Sequence, residues 1–289
     1  MLRPGLLPWT QPLQAPAGLL GLLVALSLLA TSPAAALAGP GAEAAPLEVS
    51  PAPSPEPPAC ATASSSRPLP LPAGALLQPA AGSSVTADHR SDDYRQRLSS
   101  TALGWPRLDR WCVWLEPASG AAAAVLWEQR WRQASLQALQ SWRAVLPIEL
   151  VADPAAAQIR ILRRRPPRQP GADGRLRASH GRATLQLLEV TRGGSARLEP
   201  SVEVLLSPGQ RPQASEATAL HELGHAFGLW GHSEQAADAM AAVPGATPIV
   251  ELSPRDRTTV RWLYGQPTRF GVPQPTLEPP VPGSQAPAP

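Results

Sequence analysis

Residues 221–232 read His-Glu-Leu-Gly-His-Ala-Phe-Gly-Leu-Trp-Gly-His, and no other stretch limits the fold of this chain so tightly. Residues four apart share a helical face, so His221 and His225 on one helix offer two imidazoles to one metal ion. Glu222 follows the first of them, which turns its carboxylate toward the open side of the ion without binding it. A zinc held by neutral imidazoles lowers the pKa of a bound water to about 7, and a neighbouring carboxylate can accept the proton. Two imidazoles are too few, because a catalytic zinc keeps three protein ligands and one open position. Gly228 is suited to end the helix in a left-handed conformation, after which the chain can turn and return His232 to the same ion. Glu251 is the alternative third ligand, on the pattern of two histidines and a distant glutamate.

His-Glu-x-x-His-x-x-Gly followed closely by a histidine resembles the metzincin metallopeptidases, and HELGHAFGLWGHS is most similar to their matrixin-like branch. His232 lies one residue further from the glycine than in the commonest metzincin spacing, and Met240 is followed by alanine where matrixins carry tyrosine. The resemblance implies an α+β catalytic domain over residues 101–270: a small mixed sheet with a long helix, an active-site helix and a C-terminal helix. It implies one catalytic zinc with His221, His225 and His232 as ligands, Glu222 as general base, and Met240 in a tight turn as the apolar floor of the site. The implied substrate is a peptide or protein, added as an extended strand to one of the two strands before the active-site helix. Two readings of other classes use the same residues: a binding module that cleaves nothing, and a zinc amidase acting on non-protein amides such as those of a cell wall. Many matrixins hold a structural zinc before the active-site helix, but here His180 has only Asp173 near it, so none is expected. Calcium is compatible with the sequence but has no support in it.

Every basic residue is arginine, and lysine and asparagine are absent. The net charge of +3 favours solubility and does not point to a nucleic-acid partner. The run Arg163-Arg164-Arg165-Pro166-Pro167-Arg168 reads as a solvated loop, with a contact to acidic substrates as the sharper alternative. At the start of the chain, Arg3 precedes an apolar run from Gly18 to Ala30, and Ala36-Leu37-Ala38 offers a small-x-small cleavage site. Residues 1–38 are therefore expected to be an export signal that places the protein in the periplasm or outside the cell, an uncleaved anchor being the alternative. No later segment is long and apolar enough for a membrane span. A monomer is expected. His89 is expected on the surface.

Residues 39–100 are rich in Pro, Ala and Ser and are expected to be a disordered linker or pro-region; residues 271–289 are expected to be a disordered tail. Cys60 and Cys112 are the only cysteines, and a disulfide between them suits an exported protein. The alternative is that Cys60 occupies the open position of the zinc in a latent form, as in matrixin pro-regions. Between these ends the pattern predicts strands at 110–115, 148–151, 158–162, 183–190 and 202–206, with Gly193-Gly194 as a turn. A long helix is predicted from 122 to 144, with Trp127, Trp131, Ala134, Ala138 and Trp142 as its apolar stripe and Glu128 off it. The active-site helix is expected to start near Ser215 as its cap. A last helix is expected from Ser253-Pro254-Arg255-Asp256 to Tyr264, stopped by Gly265.

Overall fold

The computed structural model describes residues 60–69, 78–79, 92–122, 124–170 and 174–273. Its strands are β1 (Ser65–Pro68), β2 (Gln78–Pro79), β3 (Ser99–Ser100), β4 (Trp111–Leu115), β5 (Ile148–Leu150), β6 (Ile159–Leu162), β7 (Gln169–Pro170), β8 (Leu176–Arg177), β9 (Gly181–Arg192) and β10 (Ser195–Leu206). Its α-helices are α1 (Val125–Arg143), α2 (Pro212–Ala226) and α3 (Pro254–Tyr264). Six strands form one mixed sheet in the order β1-β9-β10-β6-β4-β5, which with the helices gives the expected α+β class. β5, β4, β6 and β10 run parallel, and β9 and β1 run antiparallel to their neighbours.

Alternation sets the sheet on the helices. Ile159 and Ile161 in β6 are fully buried, as are Val202 and Val204 in β10, as expected where one face of a strand meets the core. The β9–β10 hairpin is longer than the sequence suggests, because its outer residues are polar and lack that alternation. Gly193 and Gly194 turn it with φ of 56° and 80°, a conformation that two L side chains would resist. Trp131, Ala134, Ala138 and Trp142 of α1 are buried as expected. Trp127 is not: it is 55% exposed, with the Arg130 guanidinium over its ring, and Glu128 turns inward in its place. The ion pair with Arg163 at 2.8 Å and the Ser119 N–H at 2.7 Å account for this, since together they satisfy a carboxylate that could not otherwise be buried. Arg163 is thus part of the fold, while Arg164, Arg165 and Arg168 are exposed.

Part of the segment expected to be linker belongs to the sheet. β1 pairs with β9 from Ser65↔Thr191 to Pro68↔Leu188, and Leu69 N–H continues the ladder to Leu187 O at 2.9 Å. Both faces of β1 are exposed, so backbone bonds and not burial hold it, which is why no hydrophobic pattern announces it. Cys60 is disulfide-bonded to Cys112 in β4, with a Cα–Cα distance of 5.7 Å. Arg192 closes this corner by donating to Ala61 O and pairing with buried Glu199 at 2.9 Å. Tyr94 and Leu98 are core residues, so structure starts well before residue 101. At the other end Phe270 and Pro273 bridge to Leu198 and Arg197 of β10. The proposed export signal, His89 and Asp173 lie outside the described residues. Among those described, no helix is long and apolar enough to cross a membrane.

Candidate metal centre

α2 carries the His-Glu-x-x-His stretch, and α1 fixes α2: Trp142 Nε1–H donates to Leu220 O at 3.0 Å. The helix begins at Pro212, not at Ser215. Proline at the first helical position needs no amide partner, and Ser215, a good cap by type, is instead buried within the first turn. The helix ends after Ala226, and Gly228 takes φ of 104°. The Tyr264 hydroxyl bonds Phe227 O at 3.0 Å and accepts Trp111 Nε1–H at 2.6 Å, so α3 and β4 hold the turn that redirects the chain.

That turn returns His232 to α2. One nitrogen from each of His221, His225 and His232 lies within 4.8 Å of the others, and among the described residues no other joins this cluster. Glu251 is exposed and stands apart from it, so the alternative ligand set of two histidines and Glu251 is not the one assembled. Cys60 is held in the disulfide in β4 and does not sit at the cluster, which removes the latent-thiol alternative.

The donor set fits zinc. His221 Nδ1–H donates to Ala239 O and His225 Nδ1–H to Leu229 O, each at 2.8 Å. Those bonds fix the tautomer and leave Nε2 of each ring as a free lone pair. His225 Nε2 and His232 Nε2 stand 3.2 Å apart. That distance is close to the edge of about 3.3 Å expected for a tetrahedron with bonds of about 2.0–2.1 Å.

Burial pushes all three imidazoles below their usual range, and for His225 the neighbouring rings add to it, down to about 3. The fold therefore favours the neutral form of these three rings, as ligands must be. An unfolded histidine titrates near pH 6.5, so from about 6.5 down to about 3 the unfolded chain binds protons that the folded chain refuses. Stability of the metal-free protein must fall as pH falls through that window. Calorimetry should show its Tm dropping by on the order of 5 °C from about pH 7.5 to about pH 5, whereas a flat Tm would mean rings already charged in the fold.

Glu222 lies beside the cluster, not in it. Burial pushes its carboxyl up to about 7, offset in part by the Ala183 N–H that donates to it and by the nearby Arg182 charge. Gly181, which the sequence reading did not single out, makes room: a Cβ there would lie 2.5 Å from Glu222 Cγ. Gly224 does the same for Met240, since a Cβ at 224 would lie 2.2 Å from Met240 Sδ. Met240 is fully buried under α2 in this way. His180 is exposed at the rim of the cavity beside His221 and Glu222. That cavity has a volume of about 530 Å³, and Ala214, Ala217, Thr218, Thr247 and Ile249 are among the residues that line it.

The turn carrying Met240 rests on a buried acidic network. Asp238 accepts Ser233 Oγ–H at 2.5 Å, Ser253 Oγ–H at 2.6 Å and Arg255 Nε–H at 3.0 Å. Asp256, which the sequence marks only as the partner of a helix cap, accepts Ala239 N–H at 2.8 Å, Ser253 N–H at 2.9 Å and Tyr94 O–H at 2.7 Å. One carboxylate thereby ties α3, the Met240 turn and the N-terminal segment together. Gly231 is the matching contact on the other side, where a Cβ would stand 2.1 Å from Arg97 O.

A six-stranded mixed sheet, an inward helix bearing His-Glu-x-x-His and a third histidine folded back upon it define the class of the zinc metallopeptidases. The matrixin family model matches residues 120–265, and the chain belongs to that family. Comparison with curated proteins gives no match.

Proposed function

We propose that the protein is an exported zinc endopeptidase in which Glu222 is the catalytic base and His221, His225 and His232 hold the ion. The observation that carries this reading is the position of Glu222, buried at the cavity wall next to three converged imidazoles and bonded to none of them. Zinc, when bound, supplies an acidified water and a positive charge that stabilises the developing oxyanion. Glu222 receives the proton released by the attacking water. The same carboxyl then delivers that proton to the leaving amine nitrogen, and the Ala183 N–H holds it in place for both transfers. Met240 and Gly224 give α2 an apolar floor, and the small residues lining the cavity accept an apolar side chain of the substrate.

Export is supported by Arg3, the apolar run and the small-x-small site at the start of the chain, and by the disulfide, a bond that forms and persists in oxidising compartments and is rare in the cytosol. The test is cleavage profiling of a mixed peptide library with the purified protein, with and without a chelator. Internal cuts that vanish with the chelator and return with added zinc are expected. A zinc-loaded protein that leaves the whole library intact would favour the binding module, and cuts confined to non-protein amides would favour the amidase.

A further inference from the structure

β10 lies between β9 and β6, so of the two strands considered for substrate addition only β9 faces outward. Its own chain covers half of it. Successive residues of a strand aim their backbone groups to opposite sides. Arg192 and Ser195 flank the hairpin turn, so the even residues of β9 bond β10 and the odd ones face the other way. Thr191 O accepts Ser64 N–H and Leu187 O accepts Leu69 N–H, each at 2.9 Å. The outward groups that follow toward the metal centre are those of Leu185 and Ala183, and the Ala183 N–H is engaged by Glu222. Among the described residues, what is left on this edge beyond the stretch facing Leu69 is Leu185 N–H, Leu185 C=O and Ala183 C=O. Beyond them Gly181 packs against Glu222.

We propose that β1 is a built-in cap on the substrate cleft, which leaves the β9 edge room for an extended peptide of about three residues on the amino side of the bond to be cut. The peptide continues the antiparallel register that β1 begins. Its backbone exchanges a pair of bonds with Leu185 and gives one to Ala183 C=O, and a fourth residue would meet Leu69. Three attachments hold the cap: the Cys60–Cys112 disulfide, the Arg192 bond to Ala61 O, and the Arg67–Glu189 ion pair at 2.7 Å. Only the position of the cut rests on the peptidase reading; the cap rests on the register.

The test uses the zinc-loaded full chain and acetylated alanyl peptides of increasing length that end in a hydroxamate, which anchors the carboxyl end at the ion. Affinity is read by calorimetry, so the result does not depend on turnover. Kd should fall about fivefold per residue, the worth of a net backbone bond, and stop falling after about three residues. In Arg67→Pro, which removes a ladder N–H from exposed β1, and in Cys60→Ser, the fall should continue to longer peptides. Affinity independent of length, a continuing fall in the intact protein, or the same plateau in both variants would each overturn the cap. A plateau without any hydrolysis of peptides would overturn the peptidase reading and leave the cap standing; hydrolysis with a flat series would do the reverse.

Discussion

Glu222→Gln should leave a protein that retains its zinc and hydrolyses peptides on the order of 10³-fold more slowly, the scale of a lost general base. The substitution keeps the shape of the side chain and an oxygen to accept the Ala183 N–H. It removes the one property the reaction needs, a carboxylate able to take and return a proton. The three imidazoles are untouched, since Glu222 is not one of the cluster. Metal content and kcat must therefore separate, which atomic absorption and a fluorogenic peptide assay measure on the same sample. Loss of zinc together with activity would mean that Glu222 is a ligand. Full activity would place the base elsewhere. The ion also matters for the pH profile, because a nearby divalent charge favours the carboxylate and pulls Glu222 back down from the value that burial alone imposes.

Asp256→Ala should be the most destabilising single change outside the metal cluster, at about 3–5 kcal/mol. Asp256 is wholly buried, and its removal strands Ala239 N–H, Ser253 N–H and the Tyr94 hydroxyl at once. It also removes one half of the capping box of α3, in which Ser253 is the other half. The consequence reaches the metal site, because the freed Ala239 amide belongs to the residue whose carbonyl orients His221. Denaturant titration should show the loss of stability, and competition with a chromogenic chelator should show weaker zinc binding. Asp256→Asn should lose less, since one amide oxygen still accepts. A loss below about 1 kcal/mol in the alanine variant would mean that the network is dispensable.

The contrast between α3 and β1 shows what a sequence can reveal. Ser253, Pro254 and Asp256 act on backbone groups within one turn of themselves, so the start of α3 was legible to the residue. The three histidines were legible because helical period and a glycine break put them on one side of one local segment. β1 was hidden, since Ser65-Ser66-Arg67-Pro68 buries neither face and depends on a partner strand more than a hundred residues away. Trp127 and Glu128 misled for a related reason. Hydrophobicity places tryptophan inward, but Arg163, beyond β6, and the backbone N–H of Ser119, ahead of the helix, make the acid the better neighbour. The tie between Tyr94 and Asp256 was likewise beyond reach, because neither residue carries a local sign of the other.

The Cys60–Cys112 link spans 52 residues of chain. A backbone cut anywhere inside that loop nicks the protein without shedding a piece. The nicked form would migrate as a single species on a denaturing gel until a thiol reductant is added, and only then separate into two fragments. Proteolysis between Cys60 and Cys112 would thus release no fragment while the bridge is intact, whereas a cut ahead of Cys60 would shed one.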